Sequence, residues 1–452
     1  MSARRTRAVI LVGSSHRRAP VAVRERLCLD PEQALELARN LAAESDECVV
    51  LATCNRTELY LASSEPEAVA SRARRELARL AGLPEPELVP VLYSGRDKEA
   101  VLHLLRVASG LDSLVAGESQ VLGQVRGAQE AARAAATVGP VLNRLFGFAV
   151  RAGKRVRSET GIGQRPSSIS DAAVALAARI LGGLEGRRVI LIGAGKMAEL
   201  TAASLRARGI EKIVVANRTL ERARDLAGRF GGIGASLDQL GEELAQSELI
   251  IACTRCPFVV LSAEHVAWAL EGKGARRIVF IDIAVPRDLD PAIAELDGCA
   301  LYDIDDLGEA ATGDLAAWAR EKACAEAIIA EEAARFRAWQ RSLELVPAIV
   351  SLHRRAEEIR AVELARVASK LAALSPSERQ ALETLTRQLV SELLHLPTVR
   401  MKETAASSRA HVRGRAPSAA HENRRNPANE ERSDARSSLV ATSSALVFTS
   451  RA

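Results

Sequence analysis

Five consecutive apolar residues from Ala8 to Val12 follow a basic start at Arg4, Arg5 and Arg7, a run that predicts a buried first strand. Glu47 to Thr53 reads as a second buried strand, and Thr57-Glu58-Leu59-Tyr60-Leu61 alternates as a strand does. Cys54, Asn55 and Arg56 therefore fall in a tight connection between two strands. A helix is marked after Asp30, which suits the N-cap, with Pro31 at the first helical position and Gln33 completing a capping box. From Arg187 the pattern changes. Val189 to Ile192, Lys212 to Ala216, Leu249 to Ala252 and Ile278 to Ile281 are short apolar runs separated by helical segments, which predicts a parallel sheet covered on both faces. After Asp303 the strands stop. Leu315 to about Leu345 has the period of an unusually long helix, and two further helical stretches start near Pro347 and Pro376 and end about His395. Helices with a repeating Ala, Leu and Ile face and no strand partner bury it against each other or another subunit, which predicts a dimer.

The stretch Gly161 to Ser170, rich in Gly, Ser and Pro, is a boundary and a candidate hinge. The expected fold is multidomain α/β: an α+β catalytic domain over 1–160, a Rossmann-type parallel-sheet domain over 161–310, and an all-α dimerisation domain over 311–400. The tail over 401–452 has few large apolar residues and is expected to be disordered.

A length of 452 residues fits two or three domains. A net charge of +5, from 62 basic and 57 acidic residues, supplies no global field for nucleic acid, so any such contact is a local patch. Seven cysteines at irregular spacing do not resemble a secreted disulfide framework and predict free thiols in the cytoplasm. Ala8 to Val12 is too short for a signal-peptide core, and no apolar stretch approaches the roughly 20 residues that span a bilayer.

The candidate chemistry lies at strand ends. Val189 to Ile192 leads into Gly193-Ala194-Gly195-Lys196-Met197-Ala198 and a helix, the context of a dinucleotide fingerprint. Gly193 allows the tight turn, Gly195 admits a pyrophosphate to the helix N-terminus, and Ala198 replaces the third glycine. The next strand ends in Asn217-Arg218-Thr219, where an NAD enzyme carries a carboxylate for the ribose; Arg218 would hold a 2′-phosphate instead, favouring NADP. Cys54 is a candidate nucleophile, with polar donors and a cation following it in Asn55 and Arg56. By local chemistry alone a cysteine after a strand is more often a small packing side chain. Cys253 and Cys256 are rivals, but with no second CxxC and only His265 nearby they make no metal set, and none is expected. His103, in an apolar helical run, and His16 are both candidate acid/base partners.

Several motifs together carry a resemblance: Gly13-Ser14-Ser15-His16-Arg17-Arg18-Ala19-Pro20, Thr53-Cys54-Asn55-Arg56-Thr57-Glu58, Ala108 to Ser113 continuing through Gly117 to Gln124, and Asp282 to Asp288. The chain from about Ala8 to Pro397 resembles the glutamyl-tRNA reductases. The resemblance implies that Cys54 attacks the ester of glutamyl-tRNA and holds glutamate as a thioester, and that NADPH reduces it to glutamate-1-semialdehyde for porphyrin synthesis. It implies a glutamate pocket of Thr53, Cys54, Asn55, Arg56, Ser113, Glu118, Ser119, Gln120 and Gln124, with Arg56 on the side-chain carboxylate. His103 matches a histidine required for activity, and Gly193 to Ala198 match the NADP loop. A homodimer joined by the C-terminal helices and a glutamate-1-semialdehyde aminotransferase partner are also implied. Two other readings stay open on sequence: a reductase of another acyl thioester or small carbonyl, and a tRNA-binding regulator without turnover.

Overall fold

The computed structural model describes residues 7–115, 117–118, 120–164, 168–271, 277–307, 315–371 and 374–407. Ser119, part of the Gly161 to Ser170 segment and the tail beyond Ser407 lie outside them.

The first sheet has four strands in the order β2-β3-β1-β4, all paired antiparallel: β1 (Ala8–Ser15), β2 (Glu47–Thr53), β3 (Arg56–Ser63) and β4 (Tyr93–Arg96). Alternate side chains of the strands serve opposite cores. Val9, Leu11, Val49, Leu51 and Tyr60 pack under α4 (Lys98–Ala108), α5 (Gln120–Ala134) and α6 (Pro140–Glu159). Ile10, Val12, Cys48, Val50, Leu59 and Leu61 pack under α2 (Pro31–Ala42) and α3 (Pro66–Ala81). Because both faces are covered, even the polar positions of β3, Thr57 and Glu58, are buried. A short helix α1 (Val21–Arg26) follows β1. The Asp30 capping box forms as its residues predict: the Asp30 side chain accepts from the Glu32 and Gln33 amides.

The second sheet has six parallel strands in the order β10-β9-β8-β5-β6-β7. Four match the apolar runs: β5 (Arg188–Ile192), β6 (Lys212–Asn217), β8 (Leu249–Ala252) and β9 (Ile278–Asp282). The two edge strands, β7 (Ile233–Ser236) and β10 (Cys299–Tyr302), were not legible, because each is four residues long and only partly covered. On one face lie α7 (Ile169–Leu181) and α8 (Lys196–Ala207); α10 (Ala263–Leu270) lies on the other, with α9 (Leu220–Arg229) following β6. Strand order reverses between β5 and β8, which opens the crevice where such sheets bind nucleotides.

The predicted long helix is α11 (Leu315–Glu344). It packs on the first domain, with Phe336 edge-on to Phe148 at 5.8 Å and ion pairs from Arg106 to Glu326 and from Arg151 to Glu332. Two helices follow, α12 (Val346–Arg366) and α13 (Pro376–Ser407). The last runs past His395, the expected end, and carries Pro397 within it. Leu385, Leu389 and Leu393 recur every fourth residue on α13 and are more than half exposed. No described helix is long and apolar enough to cross a membrane.

Candidate active site

The connection between β2 and β3 is a two-residue hairpin loop, Cys54-Asn55, closed by the pairing of Thr53 with Arg56. Thr53 shapes it: its hydroxyl accepts from the amides of Asn55 and Arg56, both at 3.2 Å. The Asn55 carbonyl accepts from the His16 amide at 2.9 Å, tying the loop to the end of β1. Arg24 of α1 donates to the Cys54 carbonyl at 3.3 Å and to Asn55 Oδ1 at 3.0 Å. The Cys54 side chain is half-buried and packs on the same apolar cluster as Ala194, Met197 and Val285 of the second domain.

Behind the hairpin, Glu58 is a buried hub. Its carboxylate accepts from Arg56 at 2.7 Å, from Tyr60 at 2.6 Å and from Tyr93 at 2.5 Å, and lies 2.7 Å from His103 Nε2. Burial alone would raise the Glu58 carboxyl, but the pull of His103 and Arg56 and the hydrogen bonds outweigh it and hold it well below the usual carboxylate range. An ionised carboxylate only accepts, so His103 Nε2 is the donor in this bond. His103 faces a cavity of about 480 Å³, also lined by Arg17, Arg18, Arg106, Glu99 and Asp112. Arg56 is spent on Glu58 and on the side chain and carbonyl of Asp112. To meet a substrate carboxylate it would have to exchange Asp112, the more exposed of its two acidic partners.

The loop bearing Ser113 and Glu118 closes on itself through the Gly117 amide and the Gly110 carbonyl. Gly110 has φ +77 and its α-carbon faces Gly117 backbone, so a side chain would be both strained and crowded there. Arg157 of α6 holds the ends together by donating to the carbonyls of Ala108 and Glu118. Ser113 Oγ and His16 Nδ1 are buried without a hydrogen-bond partner. Gln120, at the start of α5, donates to Met197 Sδ at 3.4 Å and so touches the second domain, while Gln124 lies one turn further along.

The protonation states differ from the simplest reading of the sequence, in which the polar followers of Cys54 activate it. Burial first, then the negative Glu118, push the thiol up to about 12, and the opposing cation is Arg24 rather than Arg56. Burial also raises Glu118 to about 7, against Arg56 and Arg157. His16 is lowered to about 4 by burial and by Arg56, which makes it a poor proton acceptor. The Cys54 thiol is therefore neutral at rest, and to act as a nucleophile it would have to lose its proton during attack. Glu118→Gln removes the nearby negative charge and is expected to speed alkylation of Cys54 by iodoacetamide roughly three- to tenfold at pH 8. The gap from the unaltered chain should close as pH falls below about 7, where Glu118 itself is protonated. An unchanged rate at pH 8 would show that Glu118 does not control the thiol.

In the second domain, Gly193 has φ +117 and would bring a side chain to 3.2 Å from the Cys253 carbonyl, so only glycine suits the turn after β5. Gly195 is the N-cap of α8, has no side-chain cap and has open space before it, leaving room for a pyrophosphate on the helix amides. Ala198 is fully buried against the sheet, and Lys196 is exposed and paired with Glu199. Asn217 ends β6 with its amide donated to the Thr219 carbonyl, and Arg218 beside it is exposed. These residues fit a dinucleotide. The rival thiol Cys253 is buried and turned to the Ile192 carbonyl at 3.3 Å, a packing role.

Sequence reasoning passed over Arg24, Arg157 and the hub role of Glu58. Glu58 stood inside a quoted motif, but its alternating position reads as an ordinary strand residue; the arginines carry no local signal.

Comparison with known proteins agrees with this architecture. The model for Glutamyl-tRNAGlu reductase, N-terminal domain, matches residues 12–160; that for Shikimate / quinate 5-dehydrogenase matches 175–310; and that for Glutamyl-tRNAGlu reductase, dimerisation domain, matches 324–421. A glutamyl-tRNA reductase of Desulforudis audaxviator is 42% identical over 89% of this chain and 91% of its own length. One of Rubrobacter xylanophilus is also 42% identical, over 88% and 93%. Among solved structures, Glutamyl-tRNA Reductase from Methanopyrus kandleri is 31% identical, covering 88% of this chain and 97% of its own, with a TM-score of 0.45. With a thiol-bearing hairpin in its first domain, a dehydrogenase-type sheet for a nicotinamide cofactor in its second and relatives matched along nine-tenths of their length, the chain belongs to the glutamyl-tRNA reductase family.

Proposed function

We propose that this chain reduces glutamyl-tRNA to glutamate-1-semialdehyde with NADPH, the first step of tetrapyrrole synthesis from glutamate, through a thioester on Cys54. The observation that carries the reading is the place of Cys54: on a hairpin tip between the Ser113 to Glu118 loop and the apolar surface around Met197 and Val285. Cys54 Sγ attacks the ester carbonyl carbon, the bond from that carbon to the ribose oxygen breaks, and the thiol proton ends on the tRNA hydroxyl. Glu118, which titrates near neutral pH, is suited to carry that proton, and His103, held by Glu58, is the other residue assigned to activity. Thr53 and Asn55 hold the loop, and Arg56, Ser113, Ser119, Gln120 and Gln124 contribute the glutamate pocket. When bound, NADPH would supply a hydride to the thioester carbonyl carbon; the hemithioacetal oxygen would take a proton from solvent, and breaking the carbon–sulfur bond with that proton passing to Cys54 Sγ would free the aldehyde and restore the thiol.

NADPH rather than NADH is supported by the exposed Arg218 between Asn217 and Thr219, a cation at the end of β6 where a ribose 2′-phosphate would stand. Residues 193–198 cradle the pyrophosphate. The catalytic, nucleotide-binding and helical parts are assigned to 1–160, 161–310 and 311–400, and the exposed leucines of α13 support a homodimer joined by the C-terminal helices. An α-amino aldehyde is labile, which favours direct transfer to a glutamate-1-semialdehyde aminotransferase in the cytoplasm.

The test is mass spectrometry of the chain incubated with glutamyl-tRNA and no NADPH. A glutamyl adduct on the peptide holding Cys54 is expected, and NADPH should discharge it as aldehyde. An adduct on another residue, or none, would remove the proposal.

A further inference from the structure

Helix α1 belongs to the first domain yet lies across the loops that follow β9 and β10. Two ion-pair arms join it to them. Glu25 takes Arg287 in a two-pronged grip, Oε1 to Nε at 2.8 Å and Oε2 to Nη2 at 2.9 Å, and its Oε1 also accepts from the Arg287 amide at 2.7 Å. Asp305 pairs with Arg24 and accepts from the Val21 amide at 3.1 Å. Between the arms, Cys28 Sγ reaches the Val285 carbonyl at 3.5 Å.

Arg24 is 4% exposed, and its donors divide among three places. Nε holds the Ala19 carbonyl at the start of its own helix, Nη1 holds the Cys54 carbonyl and Asn55 Oδ1, and Nη2 holds Asp305 of the second domain. A planar guanidinium cannot shift one prong without turning the others. The seating of the second domain and the placement of the Cys54 loop are therefore mechanically joined. Drawing the domains apart would leave a buried cation without its carboxylate, a costly state.

We propose that Arg24 is a positioning residue for the reduction step: with Asp305 in place it presents the Cys54 loop to the nucleotide-binding domain, and the Glu25–Arg287 pair latches the two domains together while hydride is transferred. The residues assigned above to acyl transfer all lie in the first domain, and the Cys54 loop keeps its Thr53 and His16 contacts without the second, so that step is expected not to need the latch. The inference rests on the thioester reading above.

Its test separates the two half-reactions in the full-length chain under single-turnover conditions, using glutamyl-tRNA with radiolabelled glutamate. Asp305→Asn, Glu25→Arg, Arg287→Glu and the double variant E25R/R287E are compared with the unaltered chain. Adduct formation without NADPH should stay within about twofold in each, while reduction at saturating NADPH slows about tenfold or more in the single variants. The exchanged pair should recover most of the loss contributed by either of its single changes. Because NADPH is saturating, the loss lies in kcat and not in cofactor KM. Equal loss of both half-reactions would reduce the pairs to folding contacts and overturn the proposal, as would normal reduction in every variant, or a properly melting double variant with no recovery. No Cys54 adduct in the unaltered chain would instead overturn the function reading, and the latch with it.

Discussion

Cys54→Ser is expected to lower NADPH-dependent aldehyde formation from glutamyl-tRNA by at least about a thousandfold, the scale on which removing a covalent nucleophile acts. A serine hydroxyl is far less acidic than a thiol, and the half-buried site that already pushes the Cys54 thiol up to about 12 would hold an alkoxide out of reach. Even an oxyester, once formed, accepts hydride less readily than a thioester. The loop itself should survive, because it is held by Thr53, Asn55 and Arg24 and not by the sulfur. Thermal melting close to that of the unaltered chain would confirm this. Cys253→Ser is the control: its thiol points at the Ile192 carbonyl, a contact a hydroxyl can keep, so activity should stay within a few-fold. Strong loss at Cys253 with little loss at Cys54 would reverse the assignment.

Glu58→Gln should produce the second large effect, and on stability as well as activity. The carboxylate is fully buried and joins Arg56, His103, Tyr60 and Tyr93, so its neutralisation strands the buried guanidinium and is expected to cost about 3–5 kcal/mol. Denaturant unfolding measures this directly. Asp112 still touches Arg56 and sets the lower end of the range. Activity should fall too, because the proton on His103 Nε2 is fixed only by an acceptor that cannot donate, and an amide can present either group. The pH dependence has a definite sign. The Glu58 carboxyl is depressed in the fold, so its contribution is complete above the unfolded value of roughly 4.3 and is lost as pH falls through the folded one. The stability gap between the unaltered chain and the Gln variant should therefore narrow in acid below about pH 4. A gap that persists there would mean that the charge is not what stabilises.

Much of the fold was legible because its signals are local. The runs at Val189, Lys212, Leu249 and Ile278 are central strands buried on both faces, and Asp30 caps its helix with side chains three residues apart. Weak signals were missed for an equally local reason: Ile233 to Ser236 and Tyr93 to Arg96 are short, partly exposed edges whose small and polar residues differ little from turns.

By itself the sequence determined where chemistry could sit. A cysteine in a tight connection between strands, a glycine turn opening a helix and an arginine in place of a carboxylate at the next strand end are all decided by neighbours within a few residues, although Arg56, expected in that connection, already belongs to β3. Only the tertiary structure decided the state of those groups. The thiol of Cys54 is neutral at rest because Glu118 and an apolar wall surround it, His103 is oriented because β3 brings Glu58 beneath it, and Arg24 meets an aspartate 281 residues away. Proton affinity and ion pairing depend on separations of a few ångströms and on burial, and those quantities come into being only when distant segments pack.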